Sequence, residues 1–369
     1  MENQNKAVLR ASALALLVSA AISSPAWAVS YTVTDLGKAD GWYSSPSAIN
    51  NSGQVVGHLG YETAGANVST HAFLYSNGAM TDLGTFGGPV GYTDGINYGY
   101  ANGINDSGQV VGSAAGKGYG SPRAIIYSNG ATTDLGTFDG WASYANGINN
   151  SGQVVGYVDT GDDTYAFLYS NGAMTNLGAL GGTWSSATGI NNSGQVVGVA
   201  SVGNTGHAFL YNNGAMTDLG TFGGSYSYAN GINDSGEVVG WASTTDDAAG
   251  HAFLYSNGEM IDLGNGIASS INNKGQVVGY AYTEGGGEGA FLYDSGSLLD
   301  LSTLLDPNSG WTLYNATGIN DLGQIVATGS LNGISHAVLL TPSAVPLPAS
   351  AWLMLSGLGG LGALKRKRR

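Results

Sequence analysis

One ten-residue phrase recurs along this chain and limits what it can fold into. It reads GINNSGQVVG at residues 189–198, with near-copies at Ala48–Gly57, Gly103–Gly112, Gly147–Gly156, Gly231–Gly240, Ser270–Gly279 and Gly318–Ala327. Such a phrase is either seven chemical sites or one structural instruction written seven times. Two other phrases accompany it in fixed order. HAFLYSNG or a variant stands at His71–Gly78, Arg123–Gly130, Tyr165–Gly172, His207–Gly214, His251–Gly258, Gly289–Gly296 and, degraded, His336–Ser343. MTDLG or a variant opens the series at Val33–Gly37 and returns at Met80–Gly84, Thr132–Gly136, Met174–Gly178, Met216–Gly220, Met260–Gly264 and Leu298–Ser302.

Turn chemistry converts the phrases into strands. Asn-Asn-Ser-Gly and Asn-Asp-Ser-Gly fit a type I turn, in which the first Asn caps its own backbone and Gly takes a left-handed bulge position. Ser-Asn-Gly supplies the pair that type I′ hairpins prefer, because both central residues need positive φ. The unit is therefore strand a (ATGIN), strand b (QVVG), strand c (HAFLY) and strand d (MTDL). Strands b and c are near-continuous apolar runs, as expected when both faces of a sheet are covered. The 62 glycines fit this turn-rich all-β reading, since they show no collagen-like triplet period.

Successive VVG glycines are 55, 44, 42, 42 and 39 residues apart, in or near the range of a four-stranded propeller blade. The series opens on a lone d strand, Tyr31–Leu36, and closes on a c strand, His336–Thr341. Every blade has four strands only if that first strand completes the last blade, which also removes a free sheet edge. The expectation is an all-β, seven-bladed β-propeller spanning 29–344, closed by its N-terminal strand. A parallel β-helix is the weaker alternative, because two tight hairpins per repeat do not belong in one.

The phrase HAFLYSNGAMTDLGTFGG resembles the HAF-repeat family of bacterial extracellular proteins, over about Tyr31–Pro342. That resemblance implies secretion and a repeat fold but no activity.

The two ends read as addresses. Lys6 and Arg10 precede an apolar run, Ala11–Ile22, and the A-x-A site Ala26-Trp27-Ala28 predicts a signal peptide over 1–28, cut between Ala28 and Val29. The apolar run is shorter than the ~20 residues a membrane span needs. Residues 345–369 read VPLPASAWLMLSGLGGLGALKRKRR: a proline motif, an apolar stretch, and five closing cations. Physically this is a short helical membrane plug held on the cytoplasmic side by charge. The order resembles the PEP-CTERM sorting tail of Gram-negative bacteria, processed by exosortases in species that make extracellular polysaccharide. Leu347 stands between Pro346 and Pro348 where that motif usually has an acidic residue, which leaves the choice of processing enzyme open. The resemblance implies an exported protein at the cell surface or in the matrix, with transient membrane contact through its tail.

Between those ends, residues 29–344 hold four basic residues against 24 carboxylates, a formal charge of −20. Such a chain repels phosphate backbones and anionic lipid, so nucleic acid is excluded as a partner. Cysteine is absent, which rules out disulfides and thiolate metal sites.

Catalytic chemistry is hard to find. His71, His207, His251 and His336 share one repeat position, and Asp35, Asp82, Asp134, Asp218 and Asp262 share another; both read as structural groups at strand ends. His58 lies outside the pattern. No nucleophile elbow, H-E-x-x-H or phosphate loop occurs, so no catalytic set and no enzyme is expected. Five turns match N-x-S, but the turn itself requires that Asn. Asp159, Asp162, Asp163, Asp246 and Asp247 offer oxygen to Ca²⁺, without the spacing of a calcium loop; no other cofactor is expected. The loops joining b to c and d to a carry the variation, with acidic residues on the first and rings on the second. Trp42, Trp141, Trp184, Tyr226 and Trp311 are the candidate ligand contacts, since sugar C–H faces pack on rings while hydroxyls find acceptors. The function expected is binding or scaffolding on extracellular polysaccharide, with a polysaccharide lyase or glycoside hydrolase, or a purely structural matrix protein, as alternatives.

Overall fold

A computed structural model of the chain describes residues 30–39, 41–63, 67–86, 98–115, 121–245, 250–282 and 287–343. Two compact units divide it, one of residues 32–341 and one of residues 1–31 with 342–369. All that follows concerns the first. Its described residues are strands and tight turns, with one 3-10 turn at Leu301–Leu304 whose Ser302 N–H is capped by Asp300. Among the described residues no helix is long and apolar enough to cross a membrane; the expected membrane plug lies outside them.

The four-strand unit forms as its turns dictate. In one copy, strand a is Ser185–Ile190, b is Val196–Val202, c is Thr205–Asn212 and d is Ala215–Asp218, each antiparallel to the next. The a–b turn closes with Gly194 N–H donating to Asn191 O at 3.1 Å. In the c–d turn Asn213 and Gly214 have φ of 50° and 84°, the two positive values a type I′ hairpin needs. Four-stranded sheets of this order also comprise Tyr43–Ile49 to Ala79–Gly84, Gly99–Ile104 to Ala131–Asp134, and Ala142–Ile148 to Ala173–Asn176. Three later copies run together as one eleven-stranded sheet. They merge because Glu259–Ile271 serves as strand d of one unit and strand a of the next, and because Gly206 bridges Tyr226 in parallel. In a further sheet Ser30–Asp35 lies outermost on Ile334–Ser343, followed by Ile325–Leu331 and Thr312–Ile319.

The doubled valine explains how sheets pack. Neighbouring residues of a strand face opposite sides, so each Val of the pair is buried against a different sheet. Val154 joins a core with Val111, Ala124 and Ala145, whereas Val155 joins one with Ala166, Ala187 and Val196. Likewise Val56 packs with Ala101 and Val110, and Val55 with Val326, Leu339 and Leu36. The following glycine is needed for close approach: a Cβ on Gly156 would overlap Tyr144 O across the a–b pair, and Gly198 meets Ser186 O in the same way.

Candidate functional site

Because the two valines and the glycine of strand b are committed to packing, the next residue is the first one free to differ. It is His58, Ser113, Tyr157, Val199, Trp241, Tyr280 or Thr328 in the successive copies. Register places each opposite one residue of strand a: Ser45, Tyr100, Tyr144, Ser186, Tyr228, Ile267 and Asn315 in turn. This layer is rich in rings. Tyr144 stacks on Tyr157 at 4.6 Å and 18°, Tyr228 tilts against Trp241 at 5.7 Å, and His58 meets Tyr100 edge-on at 5.4 Å. Burial holds the His58 imidazole below its ordinary pKa. Burial, a hydrogen bond shared with Tyr282, and the nearby Tyr282 and Glu288 push the Tyr280 phenol up to about 12. The sequence signal for the layer was the variation that follows each VVG within an otherwise uniform phrase.

The five rings singled out from sequence head five different strand-a segments and do not converge on one. Trp42 and Trp141 are exposed, at 64% and 54%, and so is Tyr226. Trp184 is half-buried, and a Cβ on Gly206 would touch its ring. Trp311 is also half-buried, edge-on to His336 at 5.8 Å. Trp141 donates from Nε1 to Asp159 Oδ1 at 3.1 Å. That oxygen also accepts from Gly161 N–H. Asp163 closes a short turn with Thr160, its N–H donating to Thr160 Oγ1 and its carbonyl accepting from Thr160 N–H. Asp159 is thus engaged through its side chain and Asp163 through its backbone alone, Asp162 beside it is exposed, and among the described residues no group of three His, Asp or Glu side chains is placed to hold a metal. Asp246 and Asp247 lie outside the described residues, as do Ala28, Val29, Pro346, Leu347 and Pro348.

Each repeat histidine has a fixed partner. Nδ1 of His71, His207 and His251 meets a carboxylate oxygen of Asp82, Asp218 and Asp262 at 2.8–2.9 Å. The same carboxylates accept the N–H of Gly84, Gly220 and Gly264, so each pair pins strand d to strand c at its end. His336 pairs with Asp35 in the same manner, across 301 residues of sequence.

The a–b turns of all seven copies line one cavity of ≈ 160 Å³. Its first tier is the turn Asn, buried to 3–4%. In Asn191, Oδ1 accepts from Ser193 and Gln195 N–H while Nδ2 donates to Gln195 Oε1 and to Asn233 O. No valence is left for a glycan. The next residue forms a second tier: Asn51, Asp106, Asn150, Asn192, Asp234, Asn273 and Asp321. The backbone N–H of each donates to Oδ1 of the next, and Asp321 N–H donates back to Asn51 Oδ1 at 2.9 Å. Each of its three carboxylates has amide neighbours on both sides.

Together the sheets define a class, the all-β proteins whose four-stranded sheets resemble those of β-propellers. Two solved structures carry that likeness. The β-propeller domain of the Trilobed protease from Pyrococcus furiosus, described as having an open velcro topology, aligns with a TM-score of 0.55 at 9% identity, over 81% of this chain and 92% of that one. A catalytically inactive virginiamycin B lyase from Staphylococcus aureus, with quinupristin, aligns at 0.50 and 8% identity, over 84% and 99%. At such identities the likeness is one of fold alone. By sequence, residues 87–180 match DUF3466, a family described as proteins of unknown function, and residues 344–369 match the PEP-CTERM protein-sorting motif. No curated protein matches the chain. The sorting motif marks an exported, surface-associated or extracellular protein with a C-terminal tail that exosortase-type machinery processes.

Proposed function

We propose that the mature chain is a closed propeller of seven HAF-type blades over residues 29–344, exported by a Gram-negative bacterium, that binds extracellular polysaccharide and serves as a surface or matrix scaffold. The observation that carries the binding reading is the ring-rich layer after each VVG, where an otherwise uniform repeat varies and supplies Tyr, Trp and His side chains. Closure is supported by the pairing of the first strand with the last, by His336 and Asp35, and by the core that joins Leu36 and Val55 to Val326 and Leu339.

A binding role suits the chain better than a polysaccharide lyase or glycosidase. The repeat His–Asp pairs hold strand d to strand c at one equivalent position in four copies, which is the mark of a structural element. A glycan array probed with the full chain tests the reading. Saturable binding to polysaccharide is expected, and it should be lost when Tyr157, Trp241 and Tyr280 of the ring-rich layer are all changed to Ala while the melting transition persists. No glycan binding would favour the purely structural role.

A further inference from the structure

A cleft of ≈ 710 Å³ lies where the Gly223–Ile232 and Glu259–Ile271 strands run side by side. Its size falls in the roughly 300–1,000 Å³ range of small-ligand sites. Tyr228, Trp241 and Tyr282 supply its rings, and Asn230 and Asn265 its amides. None of these was singled out from the sequence as a ligand contact.

The rings are held in place before any ligand arrives. The Trp241 indole lies over Gly250, where a Cβ would overlap it, and tilts against Tyr228 at 39°. Tyr282 stands edge-on to Tyr280 at 5.6 Å and 89°, and the two hydroxyls share a hydrogen bond. Yet Tyr228 and Tyr282 remain 39% and 44% exposed. Fixed and partly exposed rings lower the ordering cost of binding. Asn230 commits Nδ2 to Ala268 O at 2.9 Å, which leaves Oδ1 as its acceptor for a hydroxyl.

We infer that this cleft binds a segment of neutral glycan. The inference rests on the polysaccharide reading above and narrows it to one site and one ligand class. Stacking rings with amide partners is the chemistry that pyranose C–H faces and hydroxyls require. The charge excludes an acidic sugar: among the described residues no Lys or Arg lines the cleft, and Glu288 is the register partner of Tyr282. A uronate would meet that carboxylate in a chain of charge −20 over residues 29–344, with no cation to pair.

The test titrates the full chain with dextran and a soluble β-glucan as neutral polymers and with polygalacturonate as the acidic one. At least one neutral polymer should bind. Tyr228→Ala and Tyr282→Ala should each weaken that binding about tenfold, while Tyr282→Phe, which keeps the ring, retains most of it. Leu298→Ala, at an exposed position that does not line the cleft, should change nothing. Neutral binding undiminished in both Ala variants overturns this site and leaves the polysaccharide reading standing. Preference for polygalacturonate overturns the ligand class. Failure of all three, together with an empty glycan array, removes the polysaccharide reading itself.

Discussion

Asn320 donates from Nδ2 to the carbonyl oxygen of Asn50 at 3.0 Å, joining the last copy of the turn to the first across 270 residues. The same bond links Asn50 to Asn105, Asn105 to Asn149, and so on through Asn191, Asn233 and Asn272 to Asn320. A side chain that shapes its own turn with one end and grips the next turn with the other accounts for its presence in all seven copies.

Asn320→Asp keeps the acceptor but replaces two donated hydrogen bonds with a buried carboxylate facing Gln324 Oε1 and Asn50 O. A loss of about 2–5 kcal/mol is expected, measured by denaturant unfolding. Asn191→Asp, in mid-series, should cost about the same. If Asn320→Asp were harmless while Asn191→Asp were not, the first and last turns would not be joined.

Leu36, 4% exposed, packs in a core with Phe73 and Leu339, and its N–H donates to Ala337 O at 3.0 Å. Leu36→Ala should cost about 2–4 kcal/mol and lower Tm by about 3–6 °C. Leu298 heads another unit's d strand, three residues before the counterpart of Leu36, and is 47% exposed, so Leu298→Ala should stay within about 0.5 kcal/mol of the parent. Equal effects for the two would mean that the first strand contributes nothing to the last sheet.

Strands, hairpins and pairing order were legible because each rests on local chemistry repeated many times. Asn-Gly specifies a type I′ turn wherever it stands, and Val-Val declares a strand buried on both faces. The position of the first strand was legible from counting alone. The candidate site was less so. Tyr100, Tyr144 and Tyr228 recur four residues before the strand-a isoleucine, and that regularity reads as packing; yet Tyr228 is 39% exposed and lines the cleft of ≈ 710 Å³. Which face a strand-a residue presents depends on the bulge just beyond it, between Ala229 and Gly231, and no sequence period announces a bulge. Tyr282 lies beyond the repeated phrase altogether. The irregular tryptophans, which drew attention by being unlike their counterparts, are spread over four sheets.

The second tier of the turn cavity obeys a rule of neighbours. Asn192 Nδ2 donates to Asp234 Oδ2 at 3.0 Å, and no two of the three carboxylates are adjacent. Asn192→Asp removes that donor and sets like charges side by side, at a cost of about 1 kcal/mol for exposed groups. Adding Asp234→Asn to the same chain should restore most of the loss, because the amide again faces a carboxylate, now from the other side. Thermal melts of the two single variants and the double variant decide it; losses that merely add would show that the tier has no such rule.

His58 stands apart from the other histidines, its ring between those of Tyr43 at 6.0 Å and Tyr100 at 5.4 Å. Burial lowers its pKa from the ordinary 6.5, so the fold favours the neutral ring. The direction of the pH effect follows from linkage. Above about pH 6.5 the imidazole is neutral in both states and contributes no slope. As pH falls below that value, the unfolded chain takes up the proton first, and stability declines until the folded-state pKa is passed. His58→Gln removes the group, so the variant should lose less stability than the parent between pH 7 and pH 5. Urea unfolding at several pH values across that interval measures the difference directly. Parallel curves for the two proteins would show that His58 stays hydrated between its two tyrosines, and that the ring-rich layer is open to water at this point.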